Sequence, residues 1–96
     1  MADRLREQEM RLTVPAASEF RRLATELAGK FAEYSGSTAG DAAELRHEIE
    51  RLTAKVTNGA GPDASIDLEM AVNANVLVVR VSSGSKTGEA TCPLSD

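Results

Sequence analysis

The stretch Ile66-Asp-Leu-Glu-Met-Ala-Val-Asn-Ala-Asn-Val-Leu-Val-Val-Arg-Val81 decides the fold. Ile66, Leu68, Met70 and Val72 alternate with Asp67, Glu69 and Ala71, a period of two that gives an extended chain one apolar face. Asn73-Ala-Asn75 supplies turn chemistry between two such runs. Val76-Leu-Val-Val79 then runs apolar on both faces before Arg80 and Val81, which predicts a strand more buried than its partner. The whole reads as a β-hairpin.

Upstream, Asn58-Gly-Ala-Gly-Pro-Asp63 breaks regular structure. Before it, Leu45, Ile49, Leu52 and Val56 form a helical stripe, with Glu44, Arg46, Glu48, Glu50, Arg51 and Lys55 on the solvated remainder. Asp41 followed by Glu44 has capping-box spacing, so this helix is expected to open at Asp41. A glycine- and serine-rich link, Ser35-Gly-Ser-Thr-Ala-Gly40, separates it from an earlier helix. There Ser18 offers an oxygen to the first turn, and Phe20, Leu23, Ala24, Leu27, Ala28, Phe31 and Tyr34 make one apolar stripe expected to face the core. Gly36 suits a left-handed C-terminal cap. Further upstream, Met10, Leu12 and Val14 alternate with Glu9, Arg11 and Thr13, a half-buried strand stopped by Pro15.

Downstream of Val81, Ser82-Ser-Gly-Ser-Lys-Thr-Gly88 and Glu89-Ala-Thr-Cys-Pro-Leu-Ser-Asp96 show no periodicity. The expected organisation is a flexible N-terminus over 1–8, one α+β domain over 9–84 and a flexible tail over 85–96. The order is strand-helix-helix-strand-strand, a small sheet with two helices packed on one face.

Composition narrows the function classes. A chain of 96 residues fits one domain, and its two Phe, one Tyr and no Trp require an aliphatic core. A net charge of -4 without a dense Lys/Arg stripe argues against nucleic acid as a partner. No apolar run approaches the ~20 residues that span a bilayer, so no membrane partner is expected. Cys92 is the one cysteine, which excludes an intrachain disulfide framework and points to a reducing cytoplasm.

The order of elements and several stretches resemble the N-terminal part of the GHKL-type ATPase fold, nearest the anti-sigma-factor serine kinases of bacteria. Gln8-Glu-Met-Arg-Leu-Thr-Val-Pro-Ala16 resembles their opening strand, and Ser18 to Tyr34 their first long helix. Glu44-Leu-Arg-His-Glu-Ile-Glu-Arg-Leu-Thr-Ala-Lys-Val56 resembles the helix carrying the N-box, and Gly59 to Gly84 the hairpin leading to the first glycine box. Active members carry a helical Glu with a magnesium-holding Asn four residues later. Here Arg51 and Lys55 fall at those positions, or Glu50 and Ala54 if the register slides by one, and neither Lys nor Ala is an oxygen ligand. Val79-Arg-Val-Ser-Ser-Gly84 lacks the adenine-binding Asp, with Ser83 nearest its place. The lid and second glycine box have no counterpart in 85–96. The resemblance thus implies a truncated, degenerate relative without a competent ATP site and without a cofactor.

Other motifs yield to plainer readings. His47 is the one histidine and sits on a polar helix face, so it reads as solvated. Gly84-Ser-Lys-Thr87 resembles the end of a P-loop but lacks the upstream glycine and a following helix, so it reads as part of the tail. Cys92 has no basic neighbour to activate it, and Asp67 and Glu69 read as solvated strand charges.

The function expected from this reading is a non-catalytic, protein-binding regulatory module in bacterial signalling that binds another protein or itself, as a homo-oligomer. Its candidate partner-binding residues are Arg46, Glu50, Arg51 and Lys55 on the second helix, and Val76 and Val78 on the last strand. The alternative is a nucleotide-dependent anti-sigma-type serine kinase completed by another subunit, with Glu50 as base. A third possibility makes residues 1–34 a helical oligomerisation arm.

Overall fold

The computed structural model describes residues 9–61 and 63–94, with the side chain of Glu9 excepted. The expectation of a flexible segment over 1–8 lies outside the described residues, as do Ser95 and Asp96 of the expected tail. The elements are β1 (Glu9–Pro15), α1 (Ser18–Tyr34), α2 (Ala39–Val56), β2 (Ser65–Asn73), β3 (Val76–Ser83) and β4 (Lys86–Pro93). The four strands form one antiparallel sheet in the order β1-β2-β3-β4. The protein is α+β, as expected, with one more strand than the sequence reading supplied.

Alternation assigns the two faces of the sheet. Val14, Ile66, Leu68, Met70, Leu77, Val79, Val81, Ala90 and Cys92 are buried on the inner face. Both helices cover that face, α1 over β1 and β2, and α2 over β3 and β4. From α2, Leu45, Ile49, Leu52 and Val56 enter the core as their spacing requires. Among the described residues, no helix is long and apolar enough to cross a membrane.

The expected flexible tail is instead β4. Gly84, at φ 61°, opens a two-residue turn that reverses the chain between Ser83 and Lys86, the place where glycine relieves a type II′ hairpin turn. This is what the P-loop-like Gly84-Ser-Lys-Thr87 forms: Lys86 donates to the Asn58 carbonyl at 2.7 Å and a strand, not a helix, follows. The inward positions of β4 are Gly88, Ala90 and Cys92, all small. Their weak hydropathy hid the strand, and their size lets α2 lie close. A Cβ on Gly88 would come within 2.7 Å of Leu52 Cδ2.

Local signals need three corrections. Helix α2 begins two residues earlier than Asp41: the Thr38 hydroxyl accepts the Asp41 N–H at 3.0 Å, so Thr38 is the cap and Asp41 lies in the first turn. Ser18 is the first helical residue of α1, whose cap position is Ala17 without a side-chain bond. Strand β3 is buried because it is paired on both sides, and its outward residues Val76 and Val78 remain open. The Gly36 cap forms as expected. Gly36, at φ 116°, donates to the Glu33 carbonyl and Ser37 donates to Ala32, the two bonds of a Schellman motif.

Candidate protein-docking surface

Helix α1 divides its apolar residues by size. Ala24, Ala28 and Ala32 are buried against the core, whereas Phe20, Leu23 and Tyr34 are 36%, 49% and 80% exposed. Leu27 and Phe31 are half-buried. The single core-facing stripe expected from the sequence is therefore two adjacent stripes, and the one with the larger side chains lies largely outside the core.

The direction of that outer stripe follows from the helix period of 100° per residue. Glu26, Gly29 and Glu33 face α2, because Arg46 of α2 reaches all three. Its Nε lies 3.4 Å from Glu26, its Nη2 lies 3.5 Å from Glu33, and its side chain passes over Gly29. Ala24, Ala28 and Ala32 come next around the helix, facing the sheet. Phe31, Phe20, Leu27, Tyr34 and Leu23 follow, on the side away from α2 and so above β1.

Among the described residues, strand β1 is an open edge of the sheet. The Ala16 N–H donates to the Ala64 carbonyl at 3.0 Å, continuing the β1–β2 register beyond Pro15. Even-numbered residues of β1 therefore bond to β2, and the backbone groups of Glu9, Arg11 and Thr13 point away from the sheet. Pro15 occupies an outward position, where its missing N–H costs β2 nothing. On the inner face of this edge, Met10 is 38% exposed and Leu12 half-buried. The chain turns back after Pro15, so α1 returns along β1. Among the described residues, this margin then combines unpaired strand backbone with an apolar helix flank.

The outer face of the sheet is polar. Arg11, Glu69, Arg80 and Glu89 form a row of alternating charge across all four strands, at 2.5, 3.9 and 3.4 Å. Thr13 donates to Asp67 Oδ1 at 2.6 Å in the neighbouring row. Such exposed pairs each contribute little to stability but resist apolar contact on this face.

The six residues predicted to bind a partner do not form one site. Arg46 bridges the two helices, between Glu26 and Glu33 of α1. Its Nε is within ion-pair range of Glu26 but outside hydrogen-bond geometry. Glu50 shares a groove of about 410 Å³ between the helices with Arg46, Arg21, Arg22 and His47. Arg51 and Lys55 are exposed on α2, and Arg51 donates to Glu48, a bond and charge that hold the guanidinium proton more firmly than usual. Val76 and Val78 lie on the opposite, outer face of the sheet, where Val78 helps line a shallow depression with Arg11, Glu69, Ala71 and Arg80.

Cys92, expected in a loose tail, is buried on β4 with its Sγ 3.6 Å from Ser37 Oγ. Among the described residues, no group of three or more His, Cys, Asp or Glu side chains could hold a metal ion. The residues missed by sequence reasoning are Phe20, Leu23 and Tyr34 as surface groups. The available signal was the alanine row one step round the helix, which is the better fit to a close helix–sheet contact. Compared with known proteins, the sequence matches no family model and no curated protein.

Proposed function

We propose that this chain is a non-catalytic protein-binding module that docks through its β1 margin. One observation carries the reading: Phe20, Leu23 and Tyr34 are exposed on the flank of α1 that overhangs a strand edge left unpaired among the described residues. Apolar helix flanks and open edges are the two surfaces that protein partners most readily cover. A regulatory role in bacterial signalling rests on the resemblance to anti-sigma-factor serine kinases. The cytoplasm suits a chain whose single cysteine is free and buried.

The non-catalytic part of the reading rests on Arg51 and Lys55 standing where the resemblance would require a Glu and a magnesium-binding Asn. Isothermal titration with magnesium and ATP is expected to show no binding, and saturable binding would favour a kinase completed by another subunit. The docking part is tested with the Leu23→Glu/Leu27→Glu variant. Compared with the wild type in sedimentation and in cross-linking with bacterial extract, it is expected to lose its protein associations. Unchanged association in both measurements would overturn the assignment of this margin.

A further inference from the structure

We propose that the partner at the β1 margin is a second copy of this chain, related by a two-fold axis at Leu12 that joins the two sheets through their β1 strands. The inference rests on the protein-binding reading above and names its partner.

The backbone fixes which registers are possible. Glu9, Arg11 and Thr13 point their peptide groups outward, so an antiparallel second β1 must pair odd residues with odd residues through hydrogen bonds. An axis at Arg11 would set the two Arg11 side chains opposite each other, an unfavourable like-charge pair. An axis at Leu12 pairs Arg11 with Thr13 of the second copy, Met10 with Val14 of the second copy, and Leu12 with its own mate. It aligns the full strand, with one hydrogen bond missing at each Pro15, and it places only apolar side chains together on the inner face. Arg11, 74% exposed at its side chain, then lies beside the Thr13–Asp67 pair of the second copy, where it meets opposite charge.

The helix layer agrees independently. Helix α1 rides over β1 and β2, so its axis lies roughly half a strand spacing inside β1, and the two-fold lies half a spacing outside it. With strands about 4.8 Å apart, the two α1 axes come to roughly 10 Å. That is the upper end of ordinary helix packing, about 8–10 Å. Leu12 is about 10 Å up β1 from Pro15 at the strand rise. Leu27 is about 13 Å along α1 from Ser18 at the helix rise, so one axis passes near both. Antiparallel α1 helices centred near Leu27 set Leu23 against Phe31 and Phe20 against Tyr34.

The other edge of the sheet does not offer this. Beside β4, the residues Asp41, Glu44, Glu48 and Glu89 line one concavity, and two copies meeting there would oppose their carboxylates. Pro93 and Lys86 also guard that strand.

The test uses the full chain. Light scattering after gel filtration is expected to give twice the 10.2 kDa chain mass. Thr13→Pro removes an N–H that faces away from β2, so the monomer keeps its ladder while the intermolecular ladder is broken. This variant is expected to run as a monomer with Cys92 still protected from thiol reagents, which reports an intact fold. Leu12→Cys is expected to form a disulfide-linked dimer on mild oxidation, because a residue on the axis faces its mate at about 4.5 Å between Cα atoms. The wild type, with Cys92 buried, is expected to form none. A wild-type monomer at millimolar concentration overturns the second-copy proposal. The protein-binding reading survives that result if Leu23→Glu/Leu27→Glu still abolishes capture of another protein. A dimer that tolerates Thr13→Pro and gives no Leu12→Cys cross-link places the interface elsewhere, and growth beyond the dimer indicates head-to-tail joining of β1 to β4. Both results also overturn the proposal.

Discussion

Gly29 of α1 lies directly under the side chain of Arg46 of α2: a Cβ on Gly29 would come within 2.8 Å of Arg46 Cγ and closer still to Nε and Cζ. The glycine lets a guanidinium cross α1 and join Glu26 to Glu33, tying the helices together on the side away from the sheet. Helix-interior glycine ordinarily costs about 1 kcal/mol relative to alanine. Here that cost accompanies a close crossing which no side chain would permit.

Gly29→Ala is accordingly expected to bring none of the usual stabilisation while Arg46 is present. In an Arg46→Ala background the same substitution is expected to stabilise by about 1 kcal/mol. Urea denaturation of the four proteins in this double-mutant cycle measures the coupling. Equal effects of Gly29→Ala in both backgrounds would show that Arg46 does not depend on the glycine.

Gly88 plays the corresponding part between β4 and α2. Its missing Cβ leaves room for Leu52 Cδ2. Gly88→Val is expected to destabilise by about 1–3 kcal/mol through overpacking, despite the higher strand propensity of valine. Restoration of much of that loss by Leu52→Ala, read as a shift in the urea midpoint, would identify the contact as the cause.

Ala74 holds a φ of 58° in the turn between β2 and β3, a region that L-residues other than Asn and Asp visit rarely. Ala74→Gly is expected to stabilise the protein by up to about 1 kcal/mol, the relief of left-handed strain exceeding the entropy cost of glycine. Thermal unfolding is the direct measurement, and a lower Tm would contradict the assignment of strain to this turn.

Cys92 tests the fourth strand. Its thiol is buried beneath α2, so its reaction with a thiol reagent is expected to be slow in native buffer and to accelerate with denaturant. A rate equal to that of a free thiol in native buffer would mean that residues 86–93 do not stay on the sheet.

Both helices, the strand Glu9–Val14 and the hairpin around Asn73–Asn75 are legible in the residues alone. Each rests on local periodicity or on a turn residue that constrains its neighbours, as with Gly36. The α+β class is legible with them, because such elements can bury their apolar faces only as helices on a sheet. Strand β4 emerges only in three dimensions, because Gly88, Ala90 and Cys92 carry too little hydropathy to mark a strand and suit the closeness of α2. Which stripe of α1 points inward is likewise set by packing. Large apolar residues and alanines one step apart on a helix are equally periodic, and the separation of helix from sheet selects the alanines for the core. The candidate site follows from the same decision. Arg46 was drawn inward by a glycine on another helix, Val76 and Val78 were placed on a central strand, and Leu23 and Leu27 were left over a free edge. Edges, centres and interhelical gaps are relations between distant segments, which a one-dimensional pattern does not contain.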